Sequence, residues 1–200
     1  MTENPFQFLV LSYLFGSIPT SYILGKVFFG IDLRTVGSGN LGATNALRNF
    51  GKKTGLAVLV VDIAKGWVPI WYFSRLLENQ TNLSWIMACG FATILGHIYS
   101  CWVNFKGGKG VATSCGVFLA ITPLAAVSAL AVWLLIFLFN KTASVASLVS
   151  SICFPIAIYL DPNTKDPALL WFSIVLSVLI IWTHRTNVAR IIEGTEGSAL

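Results

Sequence analysis

Apolar residues run through this chain in long blocks, and polar residues gather in short stretches between them. A helix crosses the hydrocarbon of a bilayer with about 20 apolar residues. Blocks of that length cover 5–28, 55–75, 84–104, 143–160 and 167–183. The block 110–140, about 30 residues, is too long for one crossing and short for two at about 1.5 Å per residue. Thr122-Pro123 near its middle predicts a break, since proline cannot donate the helix hydrogen bond. Two short helices, 110–121 and 124–140, are therefore expected. The predicted fold is an all-α integral membrane protein with seven transmembrane helices, one polytopic domain over residues 1–200. No tandem repeat or linker divides it.

Charge orients the chain, because Lys and Arg collect in cytoplasmic loops. With seven spans, Arg34, Arg48, Lys52, Lys53, Lys106, Lys109, Lys141, Arg185 and Arg190 share one side. Only Arg75 and Lys165 fall on the other, nine against two; with six spans the split is seven against four. Seven spans put the N-terminus outside and the C-terminus in the cytoplasm. The start of the chain has Glu3 where a signal peptide has basic residues, and no small-residue cleavage site follows, so it is expected to remain as a membrane helix.

Composition agrees: 56% of residues are hydrophobic and 10% charged, where soluble domains carry about 25% charged residues. The net charge of +5 needs no nucleic-acid partner, since no soluble basic domain or aromatic-rich basic stripe exists. Cys89, Cys101, Cys115 and Cys153 lie in or beside apolar stretches without CxxC spacing and read as packing residues. No metal cluster is evident, and no cofactor or obligate protein partner is expected beyond the bilayer.

The polar chemistry lies in three stretches: Gly37 to Asn45 with Arg48, Lys106 to Gly110, and His184 to Asn187 running on to Glu196. In the seven-span arrangement all three are cytoplasmic and can build one site. Gly37 to Gly42 matches GxGxxG formally, but it lies between membrane helices and lacks the strand and βαβ unit of a dinucleotide fold. Residues 41–49 can form a short interfacial helix closed by Gly51, with Ser38 or Asn40 as cap. Gly37, Gly39, Asn40, Gly42 and Thr44 would let amides turn toward an anion at a helix N-terminus, with Asn45 and Arg48 as further donors. The alternative is an ordinary capped loop.

Lys106, Gly107, Gly108, Lys109 and Gly110 lead straight into a helix and form a second candidate anion site, although the Walker ending is missing. The alternative is a tight cytoplasmic turn. Ser144 and Ser147 share a helix face, and Ser147 could meet a ligand or simply pack. His184, beside Arg185 and Asn187, is better placed for chemistry than His97, which is more simply structural. Asp62 and Lys65, three apart inside a span, should pair. Neither histidine is followed by Asp at the fifth position, and no GxSxG elbow is present.

At these stretches the chain closely resembles the bacterial acyl-phosphate:glycerol-3-phosphate acyltransferases. The residues that carry the resemblance are Val36 to Asn45, Gly96 to Tyr99, Phe105 to Thr113, Ser144 to Ser147, and His184 to Asn187 through Gly194 to Glu196. One departure is Ser100, where the family usually has proline. The resemblance implies an enzyme of the bacterial inner membrane, its active site facing the cytoplasm. It would move an acyl group from acyl phosphate to the 1-hydroxyl of glycerol 3-phosphate, releasing phosphate. With that load of phosphate, Ser38, Asn45, Lys109 and Ser147 are expected near the acyl phosphate and its carbonyl. Arg48, His184 and Asn187 would hold glycerol 3-phosphate, and Glu196 would orient a cation or the acceptor's hydroxyls. His184 as general base is the competing assignment.

Overall fold

The structure is a computed structural model that describes residues 5–76 and 83–197. Glu3, on which the reading of the N-terminus turns, and the tail after Gly197 lie outside them. All regular structure among the described residues is helical. The α-helices are α1 (Pro5–Ser17), α2 (Thr20–Phe29), α3 (Ala43–Leu76), α4 (Leu83–Ile98), α5 (Val111–Ile121), α6 (Pro123–Asn140), α7 (Ala143–Leu160), α8 (Pro167–Thr183) and α9 (Arg185–Ile192). They sort into two compact units, Met1–Ile121 and Thr122–Leu200. The boundary falls between Ile121 and Thr122, and Pro123 opens α6 at a position that needs no amide proton.

Five helical stretches are long and apolar enough to cross a bilayer: Phe6–Phe29, Ala43–Leu76, Leu83–Val103, Pro123–Asn140 and Ala143–Leu160. α8 and α9 pass that test together across a bend of 58°. α5 has 11 residues, about 16 Å of helix, roughly half the hydrocarbon thickness. Its shortness is the reason the 110–140 block is difficult to count.

In the first unit α1 packs on α4, and α3 packs on α2 and α5. The backbones of α3 and α5 approach so closely that a Cβ on Gly66 would strike the Thr113 carbonyl, and one on Gly116 the Ile63 carbonyl. Small residues permit such crossings between membrane helices. In the second unit α7 packs on both α6 and α8. Ser150 Oγ donates to the Ala129 carbonyl, and Ser177 Oγ to the Ser151 carbonyl. Ser12, Thr20, Asp62, Lys65 and Ser173 are buried, whereas Phe28, Val60, Tyr72, Phe139 and Trp171 are exposed. Polar groups inside and apolar faces outside suit a hydrocarbon solvent, where polar groups must be satisfied within the protein.

The sequence predicts one continuous helix over 5–28, but the chain breaks at Ile18-Pro19. Pro19 has no amide proton for the ladder, so carbonyls of the last turn of α1 lose their donors. Ser100 Oγ donates to the Ser17 carbonyl at 2.5 Å, and Lys65 Nζ to the Ile18 carbonyl at 2.8 Å. These side chains make the break tolerable inside a membrane. A second interruption, at Gly51 (φ 83°) within α3, sets the stretch from Ala43 to Phe50 apart from the long helix beyond.

Candidate active site

The first glycine loop, residues 31–42, folds back over the start of α3. Asp32 opens it by accepting the Arg34 amide at 3.0 Å, and the Arg34 guanidinium bonds both Asp32 oxygens at 3.0 and 2.7 Å. Those bonds to Arg34 outweigh desolvation and hold the Asp32 carboxyl down at about 2. Arg34 also lies 5.0 Å over the Tyr22 ring. Gly37 and Gly39 take left-handed conformations, φ 58° and 68°, which cost glycine little.

Asn45 sets the loop's shape. Its Oδ1 accepts from the Ser38 amide and from Asn49 Nδ2, both at 3.0 Å. Its Nδ2 donates to the carbonyls of Leu33, Val36 and Asn40 at 3.3, 3.1 and 3.1 Å. An amide side chain has two protons and two lone pairs, so the loop uses all of this one. Asn45, expected beside the reacting groups, has its side-chain hydrogen bonds engaged in bracing the loop. The Gly39 amide is likewise used within the loop, donating to the Val36 carbonyl. Ser38 and Arg48 are exposed, while Asn40, Gly42 and Thr44 are half-buried. The first turn of α3 has no carbonyls of its own helix for its amides, so that turn is where this loop can meet an anion.

The second glycine loop is a candidate anion site by its lysines, its glycines and the helix start it leads into. The amides of Gly107 and Gly108 donate to the carbonyls of Ile98 and His97, at 2.9 and 3.0 Å, and so cap the end of α4. Lys106 is exposed and Lys109 half-buried. Gly110 (φ 87°) turns the chain into α5, and its carbonyl accepts the Ser114 amide. Leu33, Leu41 and Phe50 cluster with Val103, in the turn that precedes the second loop. Below them is a small polar cavity, with room for a single water, lined by Ile18, Leu41, Lys65, His97, Gly107 and Gly108 among others.

Asp62 and Lys65 are both buried and 2.8 Å apart. Thr20 Oγ1 donates to Asp62 Oδ1 at 3.0 Å. His97 Nδ1 stands 3.9 Å from the same oxygen, beyond direct hydrogen-bond reach.

The second unit carries its own cluster. Ser144 Oγ and Asn187 Nδ2 donate to Glu196 Oε1 at 2.7 and 2.6 Å, and Arg190 Nε donates to Oε2 at 2.6 Å. Gly194 (φ 68°) turns the chain back so that the amides of Thr195 and Glu196 both reach the Arg190 carbonyl. Burial alone would raise the Glu196 carboxyl. The bonds from Ser144, Asn187 and Arg190, with the charge of Arg190, outweigh it and hold the group below the ordinary glutamate range. Glu196, expected to orient a cation or substrate hydroxyls, has both oxygens taken by protein donors. Arg190 entered the sequence reading only as a loop charge; opposite charges on either side of Gly194 were the signal for its partnership.

His184 is buried at the corner between α8 and α9. Its Nδ1 lies 2.8 Å from the Ile180 carbonyl. A carbonyl only accepts, so Nδ1 carries the proton and Nε2 is the acceptor of the neutral ring. The His184 carbonyl accepts the amides of Asn187 and Val188 and opens α9. Ser147 donates to the Ala143 carbonyl at 2.7 Å and accepts from Trp133 Nε1 at 3.0 Å. Its bonds are those of a packed helix serine. Among the described residues, no three His, Cys, Asp or Glu side chains gather as a metal site requires.

The helices and loops define an all-α integral membrane protein that presents basic glycine loops. A family model described as glycerol-3-phosphate acyltransferase matches residues 6–194. A glycerol-3-phosphate acyltransferase of Fusobacterium nucleatum is 41% identical over 191 residues, covering 96% of both chains. One of Endomicrobium trichonymphae is 41% identical, covering 94% of this chain and 92% of the relative. The crystal structure of PlsY (YgiH), an integral membrane glycerol 3-phosphate acyltransferase, in its glycerol 3-phosphate form superposes with a TM-score of 0.89 at 36% identity. That match covers 97% of this chain and 94% of the other. Its lysophosphatidic acid form gives a TM-score of 0.87. The chain belongs to the glycerol-3-phosphate acyltransferase family, and it is an acyltransferase of phospholipid synthesis.

Proposed function

We propose that the enzyme takes its acyl group from acyl phosphate and transfers it to the 1-hydroxyl of sn-glycerol 3-phosphate, giving lysophosphatidate and inorganic phosphate. This is the first acylation of bacterial phospholipid synthesis. The observation that carries the reading is the pair of basic glycine loops in the first unit, each leading into a helix N-terminus. Lys or Arg beside such a terminus favours phosphate, and both substrates and one product carry it. The names of the related crystal forms, glycerol 3-phosphate and lysophosphatidic acid, fit the acceptor and the product.

In this reading the hydroxyl oxygen attacks the acyl carbonyl carbon, the bond from that carbon to the phosphate oxygen breaks, and phosphate leaves with the electron pair. The departing phosphate takes the hydroxyl proton. Ser38, Lys109 and the first amides of α3 and α5 meet the acyl phosphate. Ser147 remains a candidate at the reacting carbonyl only if its hydroxyl turns from the Ala143 carbonyl to donate to the substrate oxygen. Arg48 in the first unit is a candidate to bind acceptor phosphate, as Asn187 and His184 Nε2 are in the second, and Asn45 and Glu196 position their neighbours within their own units. Placement and charge stabilisation supply most of the rate. The chain works as one polytopic domain of the inner membrane with seven crossings, N-terminus outside, loops and C-terminus in the cytoplasm, and residues 43–50 as an interfacial helix. The acyl chain stays among the membrane helices.

Purified, detergent-solubilised protein given glycerol 3-phosphate and either palmitoyl phosphate or palmitoyl-CoA tests the donor. Lysophosphatidate and phosphate are expected in equal amounts, from palmitoyl phosphate only, and only when the acceptor is present. Product from palmitoyl-CoA alone overturns the donor. No product from either, in folded protein, overturns the transfer and points to an anion transporter.

A further inference from the structure

Gly107 and Gly108 are not among the glycines with positive φ, so backbone freedom does not explain them. Space does. A Cβ on Gly107 would strike the His97 carbonyl oxygen, and a Cβ on Gly108 would strike His97 Nε2. The amides of both residues bond the last carbonyls of α4. The second glycine loop therefore rests directly on one residue, touching its backbone and its ring.

That residue is closely surrounded. His97 is 6% exposed. Its Nδ1 edge faces Asp62, whose Oδ1 is held by Lys65 Nζ at 2.8 Å and by Thr20 Oγ1 at 3.0 Å. Lys65 is itself anchored to the Ile18 carbonyl at the break between α1 and α2. An ion pair inside a membrane span is expensive to maintain, and here it ties the broken first helix to the middle of α3 beneath the loop, with the His97 ring 3.9 Å away.

We propose that His97, backed by the Asp62–Lys65 pair, is a positioning residue for the acyltransfer reaction: it sets the height at which the second glycine loop presents Lys109 and the first turn of α5 to substrate phosphate. His97 touches no substrate. It acts through the contact of its ring with Gly108 and its carbonyl with Gly107. The proposal rests on the reading that this loop meets phosphate.

The test is a double-variant cycle in the full-length enzyme, reading kcat, the KM for palmitoyl phosphate and the thermal midpoint. Gly108→Ala should lower kcat/KM by about 100-fold or more, since a misplacement of about 1 Å can cost that much. His97→Ala should raise KM by about 10-fold and change kcat little, with the protein still folded. The pair Gly108→Ala with His97→Ala should perform no worse than His97→Ala alone, because the added methyl then has space. Should Gly108→Ala fail to fold, recovery of folded, active protein in the pair supports the proposal equally. Costs that multiply in the pair, or His97→Ala with wild-type KM, overturn it. Lys109→Ala separates the two ideas. If it keeps wild-type KM and kcat, the phosphate reading of the loop fails. If it loses activity while the cycle is multiplicative, only the role of His97 fails.

Discussion

Replacing Asn45 by alanine is expected to lower kcat/KM by about 10²- to 10³-fold through the shape of the first glycine loop. The change removes five hydrogen bonds that fold the first glycine loop. Asn45 is 2% exposed, so water cannot readily replace it. Leaving a buried partner unsatisfied costs about 1–3 kcal/mol, and the more exposed partners can rehydrate. A total of about 3 kcal/mol is therefore expected, a drop of roughly 6–12 °C in the thermal midpoint for a chain of this size. The larger kinetic loss follows because Ser38 and the first turn of α3 move with the loop. Asn45→Asp separates the contributions. It keeps an acceptor for Ser38 and Asn49, but turns a second oxygen toward three carbonyls, so it should be no better than alanine. Steady-state kinetics and a melt in detergent decide the matter. An Asn45→Ala enzyme within threefold of wild type contradicts the role of brace.

The second large effect is expected at Glu196. Glu196→Ala removes the common acceptor of Ser144, Asn187 and Arg190 and releases the end of the chain from α9. Hydrogen bonds to a charged group contribute about 1.5–3 kcal/mol each and do not add, so a fall of about 10²-fold in kcat/KM is expected. Glu196→Gln keeps Oε1 for Ser144 and Asn187 but opposes an amide nitrogen to Arg190 Nε, and should lie near a tenfold loss. The pH dependence has a defined sign. A carboxyl held below its ordinary value of 4.5 contributes stability that is complete above that value and lost as pH falls through its lowered folded value. Between pH 6 and 8 the stability difference between wild type and Glu196→Gln should be constant. In acid below the ordinary carboxyl range it should shrink. A difference that instead grows in acid contradicts the bonding seen around Glu196.

Much of the fold was legible because it rests on local rules. The predicted blocks from residue 110 onward match helix ends closely, and Pro123 and Gly51 mark breaks through their own backbone chemistry. The break at Pro19 was not legible in the same way. It sits within an apolar run, and its freed carbonyls are satisfied by Lys65 and Ser100, 47 and 83 residues away. No periodicity reports such partners. The site divides similarly. The density of Gly, Asn and Lys marked both loops as special, but composition does not say which way an amide points. The amides of Gly107 and Gly108 point into α4, and Asn45 points into its own loop. Asn187 and Glu196 were legible as polar residues near a helix end, whereas their convergence with Ser144 and Arg190 depends on the turn at Gly194.

The central claim is that placement and charge, with no protein base, carry the transfer. It is tested most directly by kcat at saturating substrates from pH 5.5 to 8.5, for wild type and His184→Asn. His184 Nε2 is the nitrogen able to accept a proton, so a base there would give a rising limb in kcat that the His184→Asn enzyme lacks. The account predicts profiles of the same shape for the two enzymes, with His184→Asn raising the KM for glycerol 3-phosphate and keeping kcat within a few-fold. A rising limb present in wild type and absent in His184→Asn, together with a collapse of kcat in the variant, would contradict it.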